Sequence, residues 1–124
     1  MEHILVVDDD PGIRQVVTMA LRDDDYTVQE AANGLEALDR IAESPPALVL
    51  LDLQMPVMTG WQVLANLETQ QIRVPVVIMT AAYRARAEAE RLRAAGYLAK
   101  PFDLASLYAV VEQQHRTPNE RERP

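Results

Sequence analysis

The chain has 124 residues, a formal net charge of −7 and no cysteine, with 48% hydrophobic and 25% charged residues. This length suits one domain with a substantial core, and the lack of cysteine excludes disulfides and thiolate metal sites. The acidic balance argues against direct binding of nucleic acid through a broad basic face.

The sequence shows neither a secretory signal nor a membrane span. Met1, Glu2 and His3 lack the basic region that opens a signal peptide, and the apolar run that follows is only ILVV. No apolar run approaches the roughly 20 residues of a membrane-spanning helix. We therefore expect a soluble, cytoplasmic protein that does not enter the membrane.

Strand-like and helix-like segments alternate along the chain. Strands are predicted where apolar residues run together, and helices where they recur at spacings of three and four. The predicted elements, in chain order, are a strand at 4–7, a helix at 11–22, a strand at 26–31, a helix at 34–43, a strand at 47–51, a helix at 60–70, a strand at 74–79, a helix at 84–95, a strand at 97–99 and a helix at 103–115.

This alternation predicts a parallel sheet with right-handed crossovers. The runs at 4–7, 47–51 and 74–79 are continuously apolar, as in strands buried on both faces. The mixed segment at 26–31 and the short one at 97–99 are typical of edges. The prediction is a single doubly wound (βα)5 α/β domain, with a five-stranded parallel sheet in the order 2-1-3-4-5 and helices on both faces.

Several residues mark boundaries. Asp10 before Pro11, and Asp103 before the last helix, are predicted N-caps, while Gly96 is the expected stop of helix 84–95. We assign residues 1–115 to the domain. The polar segment RTPNERERP, residues 116–124, is expected to be a flexible C-terminal tail or the start of a linker.

Polar residues follow four of the predicted strands. Strand 1 leads into Asp8 and Asp9, strand 3 into Asp52, strand 4 into Thr80, and strand 5 into Lys100. Parallel strands end at one edge of the sheet, so these side chains should meet there. Lys100 is the only lysine beside eleven arginines, which makes its position more informative.

Three carboxylates in one place require a cation or a proton. Oxygen ligands favour Mg²⁺, which commonly shares its site with a phosphate oxygen. A carboxylate can attack phosphorus and form an aspartyl phosphate, with Lys100 supplying positive charge and Thr80 a hydroxyl donor.

Each residue also has a simpler interpretation. Asp52 taken alone could cap a turn, and Asp8 and Asp9 could be solvated loop acids. Tyr97 is equally consistent with edge-strand packing and with a switch. The Arg84–Glu88 and Arg86–Glu90 spacings predict ordinary ion pairs on a solvated helix face.

Four motifs together resemble the receiver domain of two-component response regulators. They are VVDDD, LLDLQMPVMTG, VIMTAA and YLAKPF, and the resemblance covers residues 3 to about 115. It implies a flavodoxin-like fold. It also implies that Asp52 is the phosphoacceptor, that Thr80 and Lys100 contact the phosphoryl group, and that Tyr97 turns inward when Thr80 moves.

The resemblance further implies a Mg²⁺ site. Asp9 and Asp52 would bind the ion, Asp8 would help to hold it, partly through water, and the backbone carbonyl of Gln54 would be another ligand. The Lys100–Pro101 peptide bond is expected to be cis.

A receiver domain would take its phosphoryl group from a histidine kinase or a phosphotransfer protein. The face made by helix 84–95, strand 97–99 and the last helix would then control an output domain, a partner protein or a phosphorylation-dependent homodimer. Such a domain is a signalling switch rather than an enzyme, because it catalyses only its own phosphotransfer and slow autodephosphorylation.

Two rival functions remain. An aspartyl phosphatase of the haloacid dehalogenase type would carry a second acid two residues after Asp52, where this chain has Gln54. A binding module that had lost phosphorylation would have no need of the complete acidic, hydroxyl and lysine set.

Overall fold

Strands and helices alternate throughout the part of the chain that the computed structural model describes, residues 2–115. The predicted tail at 116–124 lies outside the described residues. The elements are β1 (Ile4–Val7), α1 (Pro11–Asp23), β2 (Val28–Ala31), α2 (Gly34–Glu43), β3 (Leu48–Asp52), α3 (Gly60–Thr69), β4 (Val76–Ala81), α4 (Ala82–Leu92), β5 (Gly96–Lys100) and α5 (Leu104–His115).

The five strands form one parallel sheet in the order β2-β1-β3-β4-β5, which confirms the predicted topology. All four residues of β1 are fully buried, as expected of a central strand covered on both faces. Val7 pairs with Leu51 of β3, and Asp52 pairs with Met79 of β4. This register brings the ends of the central strands to the same edge.

Successive strand residues point into two separate cores. Leu5 and Val7 face a cluster that includes Ile41 of α2 and Val63 of α3, with Ala89 of α4. On the other side, Ile4 and Val6 join a cluster completed by α1 and α5, represented by Leu21 and Leu107. The helices therefore cover both faces of the sheet, as predicted. None of the helices within residues 2–115 is long and apolar enough to cross a membrane.

The predicted helix caps are present. Asp10 accepts hydrogen bonds from the backbone N–H groups of Gly12 and Ile13, at 2.8 and 3.2 Å. Asp103 accepts one from Ser106 at 2.8 Å. Both carboxylates thus bind amide groups that a helix leaves without a partner in its first turn.

The end of α4 differs from the prediction. The helix stops at Leu92, and Arg93 adopts the left-handed conformation expected of Gly96, with φ 56°. Ala94 N–H then reaches back to the carbonyl of Ala89 at 2.9 Å, which closes the helix with local hydrogen bonds. Gly96 instead opens β5, where it pairs with Val77.

The β4 and β5 strands also have different bounds from those predicted. β4 extends to Ala81, so Thr80 lies inside the strand, and α4 begins at the next residue. Pairing with β4 extends β5 from the predicted 97–99 to Gly96–Lys100.

Gly60 allows the start of α3 to approach the end of β3 closely. A Cβ at this position would lie 2.5 Å from the carbonyl oxygen of Asp52 and 2.7 Å from the Cα of Leu53.

We predict that Gly60→Ala lowers the free energy of unfolding, measured by urea denaturation, by about 1–3 kcal/mol, because the backbone of Asp52 and Leu53 would have to move. The control is Gly12→Ala, where the nearest atom is the exposed Asp10 carboxylate at 3.2 Å. That change should stay within about 1 kcal/mol of the parent, and equal effects at both glycines would contradict the explanation.

Candidate functional site

Polar side chains from four strands converge at the carboxyl edge of the sheet. Asp8 and Asp9 directly follow β1, and Asp52 is the last residue of β3. Thr80 lies near the end of β4, and Lys100 is the last residue of β5. Because β1, β3, β4 and β5 are neighbours in that order, the strand ends form one continuous row.

The three carboxylates lie close enough to share one cation. Asp8, Asp9 and Asp52 each offer an oxygen, and these oxygens all lie within 4.8 Å of one another. Asp8 is fully buried and Asp52 is 6% exposed, whereas Asp9 lies at the exposed mouth. Asp10 is exposed and caps α1, as the sequence predicted, so its carboxylate is not part of the group formed by Asp8, Asp9 and Asp52.

Lys100 connects the buried acids. Its Nζ lies 2.9 Å from Asp8 Oδ2 and 3.4 Å from Asp52 Oδ2. Burial alone would lower the pKa of Lys100, but the hydrogen bond to Asp8 and the charge of Asp52 outweigh it and raise the pKa. Lys100 is therefore a cation at neutral pH, yet one ammonium group cannot neutralise three carboxylates.

The surroundings of Asp52 change the pKa of its carboxyl. Burial, opposed by the charge of Lys100 and reinforced by that of Asp8, raises its pKa to about 6. The backbone N–H of Gln54 donates to Asp52 Oδ1 at 3.3 Å, so this residue lies beside the carboxylate. A set of hard oxygen donors, two of them buried, with excess negative charge fits a divalent cation such as Mg²⁺.

Thr80 and Lys100 border an open cleft above Asp52. Thr80 is 4% exposed. The cleft has a volume of about 590 Å³, and its opposite wall is apolar. It is lined by Gly12, Ile13, Val16, Val17, Asp52, Gln54, Thr80, Ala81, Lys100, Pro101 and Phe102. The cleft provides a hydroxyl, an ammonium and a carboxylate in one place.

The remaining expectations have different outcomes. The Lys100–Pro101 peptide bond is cis, as the resemblance implied. Tyr97 lies on β5 opposite Ile78 and is 42% exposed, away from the residues that line the cleft. Its role as a switch stays a prediction.

The predicted Arg84–Glu88 ion pair is wrong. Glu88 pairs with Arg91 at 2.7 Å and accepts a hydrogen bond from Trp61 Nε1 at 3.1 Å, and these two bonds lower its pKa. The guanidinium of Arg84 lies over the ring of Trp61, 5.6 Å from its centroid. Trp61 belongs to α3, so these contacts join α3 to α4. The Arg86–Glu90 pair is present at 3.3 Å.

Two residues near the site were missed. No sequence pattern indicated a function for Glu30, near the end of strand 2, or for Arg14. Arg14 pairs with Glu30 at 3.0 Å and donates to the carbonyl of Asp8 at 2.7 Å. The available signal was the position of Arg14, one helical turn after the Asp10 cap, which directs it towards the strand end.

Known proteins match this chain in sequence. The family model described as "Response regulator receiver domain" matches residues 4–112. Sporulation initiation phosphotransferase F of Bacillus subtilis is 37% identical over 114 residues, covering 90% of this chain and 92% of that protein. The DNA-binding transcriptional regulator NtrC of Escherichia coli is 36% identical over 123 residues, or 98% of this chain, but the match spans only 26% of NtrC.

A solved structure is similar to this fold. The response regulator protein TrrA from Thermotoga maritima, in complex with Mg²⁺ and BeF, superposes with a TM-score of 0.81 and 30% identity. The match covers 92% of this chain and 99% of that one.

The raised pKa of Asp52 predicts a pH-dependent stability difference. Its carboxyl has a pKa of about 6 in the folded protein, compared with its ordinary value of 3.8 in an unfolded chain, so it is protonated more readily when folded. Its contribution to stability is therefore greatest below pH 3.8 and falls as the pH rises through 6. In Mg²⁺-free buffer, Asp52→Asn should raise the free energy of unfolding by about 3 kcal/mol at pH 7.5, and much less at pH 4. Urea denaturation at both pH values measures this.

The matched control is Asp39→Asn, an exposed carboxylate on α2. It should change the unfolding free energy little at either pH. An Asp52→Asn protein that is less stable than the parent at pH 7.5 would contradict the argument from buried charge.

Proposed function

Because the chain belongs to the response regulator receiver domain family, we propose that it is a phosphorylation-activated switch whose phosphoacceptor is Asp52. The donor is a phosphohistidine presented by a histidine kinase or a phosphotransfer protein. The observation that carries this proposal is the position of Asp52 at the floor of the cleft, 3.4 Å from Lys100 and grouped with Asp8 and Asp9.

The chemistry assigns a separate role to each polar group. A carboxylate oxygen of Asp52 attacks phosphorus, the phosphorus–nitrogen bond of the donor breaks, and the leaving imidazole keeps the electron pair. With a pKa of about 6, Asp52 is mostly ionised at neutral pH and available as the nucleophile. Lys100 pairs with the phosphoryl oxygens, and the hydroxyl of Thr80 donates a hydrogen bond to one of them.

The cation site fits Mg²⁺. Asp8, Asp9, Asp52 and the backbone carbonyl of Gln54 would hold the ion, which supplies positive charge to the transferring oxygens when bound. The carboxylate grouping supports this assignment. So does the TrrA structure, which contains Mg²⁺ with BeF in a related receiver protein.

Asp9 and Asp10 provide a matched pair for testing the chemistry. With Mg²⁺ and acetyl phosphate, intact mass should show one added phosphoryl group, about 80 Da, and Asp52→Ala should abolish it. Asp9→Ala should also abolish it, because a cation ligand is lost. Asp10→Ala should keep the adduct and lower the free energy of unfolding by about 1 kcal/mol, because only the helix cap is lost.

Other outcomes would separate the alternatives. Rapid repeated hydrolysis of acetyl phosphate without a stable adduct would indicate a phosphatase, and no reaction would leave a binding module. Loss of the adduct in Asp10→Ala but not in Asp9→Ala would contradict the roles proposed here, in which Asp9 is a cation ligand and Asp10 is only a helix cap.

The output would pass through the face made by α4, β5 and α5. Thr80 lies two residues before the start of α4. The residue at the N-cap position is Ala81, whose methyl group cannot accept a hydrogen bond, and the buried residues of the helix are only Ala85 and Ala89. A helix held this weakly can shift when Thr80 moves, while Tyr97 turns inward.

The recipient of this signal is an output domain, a partner protein or a second copy of the chain. NtrC, of which this chain matches only 26%, illustrates a longer regulator, whereas sporulation initiation phosphotransferase F is almost fully covered. The reactions catalysed would be limited to the domain's own phosphotransfer and slow autodephosphorylation. A cytoplasmic location is proposed because the chain belongs to the receiver domain family.

Hydrogen exchange tests the proposed movement of α4. Addition of Mg²⁺ and beryllofluoride should change amide exchange across residues 80–96, because phosphoryl-like occupation of the cleft engages Thr80. Trp61 fluorescence should change in parallel, because its indole N–H is bonded to Glu88 of α4 at 3.1 Å. Peptides from α2 should serve as an unchanged internal control. Unaltered exchange in 80–96, with beryllofluoride shown to be bound, would count against a moving α4.

A further inference from the structure

Asp8 is fixed by hydrogen bonds on every side. The β1 strand ends at Val7, so the carbonyl of fully buried Asp8 lies beyond the regular ladder. A buried carbonyl without a partner would be costly. The bonds are Asp8 N–H to Ala31 O at 3.2 Å, Asp10 N–H to Asp8 Oδ1 at 2.9 Å, Lys100 Nζ to Asp8 Oδ2 at 2.9 Å, and Arg14 Nη1 to Asp8 O at 2.7 Å.

The last of these bonds comes from a well-held arginine. The Arg14 side chain is 19% exposed, and its Nε donates to Glu30 Oε1 at 3.0 Å while Nη1 donates to Asp8 O. Two bonds from one planar guanidinium fix its orientation as well as its position. Glu30 lies on β2, so this contact ties α1, β1 and β2 together at the carboxyl edge.

We infer that Arg14 is a positioning residue for the cation site, on which the proposed function depends. The carbonyl of Asp8 and the amide of Asp9 belong to one rigid peptide plane. Holding that carbonyl prevents the plane from rotating and so fixes the direction in which the Asp9 side chain leaves the backbone. Asp9 is the exposed member of the carboxylate group, so packing restrains it least and a fixed backbone matters most for its orientation.

A purely electrostatic role predicts the opposite sign. Arg14 is a cation near three carboxylates, so removing its charge would strengthen attraction for Mg²⁺. Loss of positioning would weaken Mg²⁺ binding, because a ligand free to rotate must be ordered again when the ion binds. The direction of the change in Kd therefore distinguishes the two roles.

The test is the Mg²⁺ affinity of Arg14→Met, measured by isothermal titration calorimetry on the whole chain. We expect its Kd to rise roughly 10-fold, as for other residues that orient a metal ligand. The matched control is Arg22→Met. Arg22 belongs to the same helix and also donates to a strand carbonyl, that of Val28 at 3.1 Å, but at the opposite edge of the sheet. Its Kd should equal that of the parent.

A second variant keeps the charge. Arg14→Lys retains a cation but cannot make both bonds with one planar group, so we expect a smaller rise in Kd, of a few-fold. In metal-free protein, ¹⁵N relaxation should show greater mobility of the Asp9 amide in both Arg14 variants. This readout does not depend on Mg²⁺.

An unchanged or lower Kd in folded Arg14→Met, with an equally rigid Asp9 amide, would overturn the inference. If that variant does not fold, Arg14→Lys decides in the same way. Failure of the parent protein to bind Mg²⁺ would instead refute the cation site of the proposed function, and the Asp9 amide would still report on Arg14 alone.

Discussion

The site depends on Lys100, whose single ammonium group forms ion pairs with two carboxylates. Lys100 lies 2.9 Å from Asp8 and 3.4 Å from Asp52, so one ammonium serves two buried carboxylates, with Asp9 close by. Removing Lys100 would leave both buried carboxylates without their cation, which is strongly unfavourable. Complete neutralisation would remove the attraction for a divalent cation. The fold therefore holds an excess of negative charge at the carboxyl edge of the sheet.

The topology makes this arrangement possible. Asp8, Asp52 and Lys100 are far apart in sequence, yet each stands at the carboxyl end of a parallel strand. The sheet needs both faces covered to be stable, and every residue of its central strands β1 and β3 is buried. Rigid strands fix the side chains at their ends more accurately than loops would. The start of α1 adds to this, because the N–H of its N-cap residue Asp10 donates to the Asp8 carboxylate and Arg14 donates to the Asp8 carbonyl.

Sequence patterns predicted the features that depend on one element at a time. Continuous apolar runs located the central strands, and the strand-end rule brought Asp8, Asp9, Asp52, Thr80 and Lys100 to one edge. The errors involve contacts between elements or backbone strain. Glycine is favoured in the left-handed conformation, but Arg93 adopts it because the hydrogen bond from Ala94 to Ala89 closes the helix. Glu88 pairs with Arg91 rather than Arg84 because Trp61 of another helix takes part. No local pattern encodes such a choice.

Strand β4 passes directly into helix α4, and this limits the insertions that the junction can accept. β4 ends at Ala81 and α4 begins at Ala82, so no loop residue separates the strand from the helix. By contrast, seven residues lie between the end of β3 and the start of α3. Exposed connecting residues usually accept insertions and deletions, and the β4–α4 junction has none. An insertion after Thr80 would lengthen the shortest covalent link between the cleft and the start of α4. Insertions at this junction should therefore be selected against during evolution, even where the extra residues leave folding intact.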